Sequence, residues 1–347
     1  MGCNKLKNRI NDVVNANIYS ESPEFPKRGM LIEITNLCND ACIFCFNKNM
    51  AREKGYIDSK LVDKVLNEAY ELGMREVGFY TTGEPLLNKK LEDYIYKAKD
   101  IGYKYVYITT NGVLADISRM KKLIEKGLDS VKFSINAIDS DEYKFIHGKS
   151  DFEKVIANLK ELYNYKLKHN VPINIFVSYI KTKYTEKSTA EIEEFFNNIC
   201  DEVAIMNVDN QGGLQPEIND LLLSESDVEL DTTKKLPCSY PFKSIIITRE
   251  GYLTACCLDF QNYLAYADLN KVSLKEAWNN EIIRKLRRKQ LESDPSNTIC
   301  SNCVYNSNIQ PIPLVKELSS EFEYNNFSDR ECLVKRINDF LNFKNNK

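Results

Sequence analysis

The chain has 347 residues, 43% of them hydrophobic, which is enough apolar material for one large domain and a smaller one. Its 47 basic and 50 acidic residues are spread along the whole length and leave a net charge of −3, so no nucleic-acid partner is expected. No apolar run approaches the roughly 18 residues of a membrane span, and the N-terminus, Met1 to Arg9, lacks a secretory apolar region, so a cytoplasmic protein without membrane contact is expected.

After an N-terminal extension over 1–30, short β-rich runs alternate with longer stretches of helical period, the pattern of parallel strands joined by helical crossovers. Strands are expected near Leu31 to Thr35, Val77 to Thr82, Tyr105 to Thr110, Val131 to Asn136, Ile173 to Ile180 and Val203 to Val208. Between them, Leu61, Val62, Val65, Leu66 and Ala69 share one helical face, as do Leu91, Tyr94, Ile95 and Ala98, and then Phe152, Val155, Ile156 and Leu159. Gly73, Gly102 and Gly127 stand where helix C-cap glycines belong. Six βα units fit either a doubly wound open sheet or an incomplete barrel, and periodicity does not choose between them. In both, ligands gather at the C-terminal strand ends. Those ends carry Cys38 to Cys45, Thr81-Thr82-Gly83-Glu84-Pro85, Thr109-Thr110-Asn111-Gly112 and Ser134-Ile135-Asn136.

This core is expected to run over 31–225. A polar acidic linker, Glu217 to Asp231, leads to a second module over 232–310, with a hairpin of Ser244 to Thr248 and Tyr252 to Ala255. A helix from about Ser273 to Leu291 opens with Ser273 and Glu276 at capping-box spacing. The tail over 311–347 reads as helical and polar.

Eleven cysteines in a chain expected in a reducing compartment point to metal binding or catalysis rather than disulfides. Cys3, Cys200 and Cys332 stand alone and read as ordinary thiols. Cys38, Cys42 and Cys45 lie within eight residues just after a strand. Iron-sulfur clusters ordinarily take four thiolates, so three leave one iron open for a ligand. A zinc site is the competing reading, but it would need a fourth ligand or histidines, and the chain has only His147 and His169.

This CxxxCxxC run, with Phe44 before its last cysteine, resembles the defining motif of the radical S-adenosylmethionine (radical SAM) superfamily. The resemblance implies a partial (β/α)6 barrel. It also implies a catalytic [4Fe-4S] cluster on Cys38, Cys42 and Cys45, with S-adenosylmethionine chelated to the open iron. Thr82-Gly83-Glu84-Pro85 is similar to the family's GGEP segment, with Thr82 for the first glycine, and would meet the methionine amino group through its backbone. Ser134 and Asn136 resemble the fourth-strand polar residues that hold the methionine carboxylate and the ribose, and Asn111 lies at the intervening strand end.

Cys238, Gly251 followed by Cys256, and Cys300-Ser-Asn-Cys303 resemble the SPASM or twitch extensions of that superfamily. They imply one auxiliary [4Fe-4S] cluster on Cys238, Cys256, Cys300 and Cys303. Cys257 is then surplus, although it could replace Cys256, and it is a candidate hydrogen-atom donor should the reaction be an epimerisation. A zinc ribbon is the competing reading of this group.

The resemblance implies abstraction of a substrate hydrogen atom, with electrons from a flavodoxin- or ferredoxin-type donor. Dehydrogenation or epimerisation of a sugar, aminocyclitol or related small molecule is the expected outcome. Peptide modification is the second reading, and only about 30 residues precede the first strand, which speaks mildly against a leader-binding domain. A non-catalytic iron-sulfur electron carrier is the alternative of another class.

Overall fold

A computed structural model of the chain describes residues 18–27, 29–185, 187–215, 222, 236–305, 307, 309–321 and 330–345. Cys3, the linker Glu217 to Asp231 apart from Leu222, and the Cys332 side chain lie outside the described residues.

Six parallel strands form an arc: β1 (Gly29–Ile32), β2 (Glu76–Gly78), β3 (Tyr105–Thr110), β4 (Ser130–Ser134), β5 (Asn174–Lys181) and β6 (Glu202–Asn207). Each pairs with its neighbour in the chain, and β1 and β6 do not meet, so the barrel stays open. The open arc decides between the two architectures that the element order allowed. On its outer face pack α1 (Ser59–Glu71), α2 (Leu91–Ile101), α3 (Ile117–Glu125), α4 (Ser140–His147), α5 (Phe152–His169) and α6 (Thr189–Phe196). The two-residue period of a strand sorts the side chains. In β3, Val106, Ile108 and Thr110 are buried beneath the helices, while Tyr105, Tyr107 and Thr109 are half-buried and face the concave interior.

Helix ends follow their local chemistry. Asp58, Asp116 and Asp139 each accept a backbone N–H of the first turn, and Ser188 closes a capping box with Glu191. Gly73, Gly102 and Gly127 take positive φ just past their helices, as expected. At Gly102 a Cβ would also lie 2.6 Å from the Tyr70 hydroxyl oxygen.

The expected hairpin is present as β7 (Ile245–Ile247) and β8 (Tyr252–Thr254), followed by β9 (Ala265–Asp268). β7 pairs in parallel with β1, so the second module continues the barrel sheet. Arg52 clamps the junction: it bonds Glu33 just after β1 and Glu250 in the hairpin turn, with both Arg52 and Glu33 side chains 1% exposed. The single helix expected from Ser273 to Leu291 is two, α7 (Leu274–Trp278) and α8 (Glu281–Leu291). Asn280 breaks the run by capping the second through the Ile283 N–H. Arg287, fully buried, stacks on the Trp278 ring at 4.3 Å and donates to the carbonyls of Glu21, Pro241 and Trp278, pinning the N-terminal segment. The C-terminal helix, α9 (Arg330–Asn345), packs against the loop that carries the first cysteines. Phe340 stacks on Phe145 at 4.3 Å, and Arg336 donates to the Ala41 carbonyl.

Candidate active site

The loop after β1 is held by its own backbone and by two polar side chains. Asn36 bonds the Glu53 carbonyl and the Gly55 N–H, and Asn47 bonds the carbonyls of Asn36 and Thr82. On this frame Cys38, Cys42 and Cys45 converge closely enough that each thiolate would repel another. Burial pushes the Cys38 thiol up to about 12 and raises Cys42 and Cys45 as well, and the neighbouring sulfurs add to the shift of Cys38 and Cys42. Three half-buried thiols of this kind become ligands only when a metal centre supplies the balancing positive charge. The donor set therefore fits a three-thiolate cluster. Among the described residues no disulfide competes for them.

The Thr82–Pro85 segment lies against this loop. Gly83 has no room for a side chain: a Cβ would sit 2.3 Å from the Thr35 carbonyl oxygen and 2.7 Å from that of Leu37. The Glu84 N–H donates to the Leu37 carbonyl at 2.8 Å. The Glu84 carboxylate braces the mouth, accepting from the Thr110 hydroxyl and from the Leu86 and Asn111 N–H groups. Burial raises its pKa to about 7 against those three bonds. Pro85 opens a short buried turn, and Thr82 donates to Glu33. Asn111 bonds Asn39 of the cysteine loop at 2.9 Å. Phe44 points away into an apolar cluster with Phe145, Ile146 and Phe340.

On β4, Ser134 is half-buried. Asn136 is 1% exposed at φ +55°; its amide oxygen accepts the Ile180 N–H, and its amide nitrogen donates, more loosely, to the Ser134 hydroxyl. Asn136 thus fixes Ser134 in place from behind.

Sequence reasoning missed the support beneath Cys42. His147 Nε2 lies 2.7 Å from the Ile135 carbonyl oxygen, which can only accept, so that nitrogen carries a proton. Nδ1 faces Asp40 at 2.8 Å and the Cys42 sulfur at 3.4 Å, and Tyr143 stacks on the ring at 4.2 Å. Asp40, Cys42 and His147 could be grouped as metal ligands, since their donor atoms lie within 4.8 Å of one another. The Nε2 bond leaves the imidazole only Nδ1, and Asp40 already holds it, so the pair is a support for the loop. No spacing in the sequence links residue 40 to residue 147.

The second group also converges. Cys238 lies in the electrostatic reach of both Cys256 and Cys300, and Cys300 and Cys303 stand one turn apart on the short helix Ile299–Tyr305, with burial pushing Cys300 up to about 12. The Cys256 sulfur accepts the Leu258 N–H at 3.4 Å. Gly213, at φ +83°, lies so close that a Cβ would be 2.4 Å from the Cys303 nitrogen. Cys257 stays beside this group: its thiol bonds that of Cys256 and the Tyr240 side chain, and it lies within the field of Lys132 on β4.

Inside the arc is a cavity of about 620 Å³, bounded by Tyr80, Tyr107, Thr109, Lys132 and Phe176 of the barrel and by Tyr240 and Lys243 of the second module. Its upper wall, Tyr80 and Thr109, immediately precedes the Thr81–Pro85 and Thr110–Asn111 segments.

Residues 32–196 match the family described as Radical SAM superfamily, and residues 238–304 match SPASM, an iron-sulfur cluster-binding domain. A probable GTP 3',8-cyclase of Sulfurisphaera tokodaii is 35% identical over 130 residues, 38% of this chain and 41% of the relative. One of Saccharolobus solfataricus is 28% identical over 260 residues, 72% of this chain and 80% of the relative. Among solved structures, BtrN in complex with AdoMet and 2-DOIA is similar at TM-score 0.54 and 18% identity, covering 86% of this chain and 98% of that one. SuiB of Streptococcus suis bound to its precursor peptide SuiA gives 0.59 and 16%, over 81% and 68%. Native anSMEcpe with bound AdoMet gives 0.57 and 14%, over 92% and 99%. At these identities the structural likeness speaks for the fold. Two matched domains, a barrel mouth that gathers three thiols and a second group of thiols beside it agree: the chain belongs to the radical SAM superfamily, with a [4Fe-4S] cluster and S-adenosylmethionine as cofactors and a SPASM domain for an auxiliary iron-sulfur cluster.

Proposed function

We propose that the chain uses Cys38, Cys42 and Cys45 to hold the catalytic cluster and abstracts a hydrogen atom from a C–H bond of a small substrate seated in the interior cavity. Reductive cleavage of S-adenosylmethionine, with an electron from a flavodoxin- or ferredoxin-type donor, supplies the 5′-deoxyadenosyl radical when the cofactors are bound. The protein's share is positioning and exclusion of water. The Gly83 backbone and Ser134 face the cofactor at the mouth, and the Tyr80–Thr109–Lys132 layer lies directly below. Cys238, Cys256, Cys300 and Cys303 hold the auxiliary cluster, and Cys256 is favoured over Cys257 because Cys238 acts electrostatically on Cys256.

The product of this step is read as a dehydrogenated or epimerised sugar- or aminocyclitol-like molecule. The observation that carries the reading is the cavity inside the arc, whose size suits a small molecule. The cyclase relatives favour a second reading, cyclisation of a nucleoside triphosphate. Against it, Lys132 and Lys243 are the only cations among the described cavity residues, few for a triphosphate.

The test is the triple variant of Cys38, Cys42 and Cys45 to Ala, reconstituted anaerobically. It should make no 5′-deoxyadenosine, and its iron should fall from about eight to about four per chain, the auxiliary cluster remaining. Production of 5′-deoxyadenosine by the variant would refute the assignment.

A further inference from the structure

Lys132 sits in the middle of β4, opposite Thr109 of β3 and Phe176 of β5 in the sheet register. It shares the inward face with Ser134, two residues on and roughly 7 Å higher along the strand. Its side chain therefore stands one layer below the mouth. Its nearest described neighbours are uncharged, Tyr80 beneath the ammonium at 6.0 Å, then Thr109, Phe176 and Tyr240, while the carboxylate that lines the same cavity, Glu76, stands lower, level with Tyr105 at the start of β3. Among the described residues, no carboxylate pairs with it and no carbonyl accepts from it. Burial lowers its pKa from the ordinary lysine value, and the field of Cys257 is the opposing influence. The contrast within the chain is clear. Lys99 and Lys166 on the outer surface both find an aspartate, at 2.8 and 2.5 Å.

A cation without a counterion on the wall of a cavity is costly unless something negative arrives. A purely structural lysine in this layer would gain more as an aliphatic residue packed on Phe176. We propose that Lys132 binds an acidic group of the substrate, a carboxylate or a phosphate, and so sets the substrate's C–H bond at a fixed height beneath the cofactor. The substrate is then an anionic small molecule, with Tyr80 and Tyr240 covering its less polar part. This inference rests on the reading of the cavity as the substrate site.

The experiment is isothermal titration of the anaerobically reconstituted chain with inorganic phosphate and, separately, with malonate, in the absence of S-adenosylmethionine and reductant. One of the two should bind, and which one names the acidic group. Lys132→Met should weaken that binding by roughly tenfold or more, as loss of a charged hydrogen bond does, and Lys132→Arg should keep most of it. Lys132→Met removes an ammonium that pairs with no described carboxylate, so the variant should unfold no more easily than the parent chain, with unchanged iron content. Should it fail to fold, Lys132→Gln serves in its place. Binding of neither anion, or equal binding before and after substitution, overturns the assignment. Release of 5′-deoxyadenosine by the unaltered chain is measured separately, so failure here and failure of the hydrogen-abstraction reading show up in different assays.

Discussion

Replacing Arg52 with Met should destabilise the chain far more than loss of an ordinary surface pair. Arg52 Nε and Nη2 bond both oxygens of Glu250 at 3.0 and 2.6 Å, and Nη1 and Nη2 face both oxygens of Glu33. The Arg52 and Glu33 side chains are each 1% exposed, and Glu250 is 17% exposed. Methionine fills much of the volume but leaves two carboxylates facing one another without the cation between them. Removing one partner of a buried pair costs about 3–5 kcal/mol, a factor of a hundred to several thousand in the folded-to-unfolded ratio. Urea unfolding of both reconstituted proteins, followed by circular dichroism, measures this as a lower midpoint. The pH dependence gives an independent sign. Arg52 holds the Glu250 carboxyl below its ordinary value despite burial. A depressed folded pKa contributes stability that is present above the unfolded value of about 4.3 and is lost as pH falls through the folded one. The variant has no such contribution to lose, so its acid-side decline should be shallower. Adding Glu33→Gln to Arg52→Met should recover part of the loss by removing one of the stranded charges. A loss under about 1 kcal/mol, the range of exposed pairs, would refute the clamp.

Gly83→Ala should weaken S-adenosylmethionine binding in equilibrium dialysis by tenfold or more, because its Cβ must displace the Thr35 and Leu37 carbonyls; overpacking of this kind costs about 1–3 kcal/mol. Unchanged affinity would show that the segment does not shape the cofactor site. Cys257→Ala should leave the auxiliary cluster's iron in place. If the reaction is an epimerisation, the variant should still form 5′-deoxyadenosine but lose the inverted product; intact epimer formation would remove Cys257 from the mechanism, and lost iron would make it a ligand.

The parts of this site that are legible in the sequence are those whose physics is local. A CxxxCxxC run announces three ligands because they share one loop, and strand order follows from hydrophobic periods and cap glycines a few residues apart. The Arg52 clamp is not legible: its partners lie 19 and 198 residues away, and each alone is an ordinary charge. The Asp40–His147 support and the α9 cover over the cysteine loop are hidden for the same reason. Lys132 shows a subtler limit. Its place in an alternating strand assigns it to the polar face, and only the curvature of the arc turns that face inward onto the cavity. The split at Asn279–Asn280 was missed because a hydrophobic stripe can continue across a break that one capping side chain imposes.

The pairing of β7 with β1 bears on how the gene could be shortened. A polypeptide ending before Ile245 would lose the three residues that cover Met30, Leu31 and Ile32, and would present them as a bare apolar strand margin with open N–H and C=O groups. Such margins template pairing between chains. The barrel half of this protein, expressed alone, should therefore self-associate through β1, and the SPASM segment acts as its guard against aggregation as well as a holder of iron and sulfur.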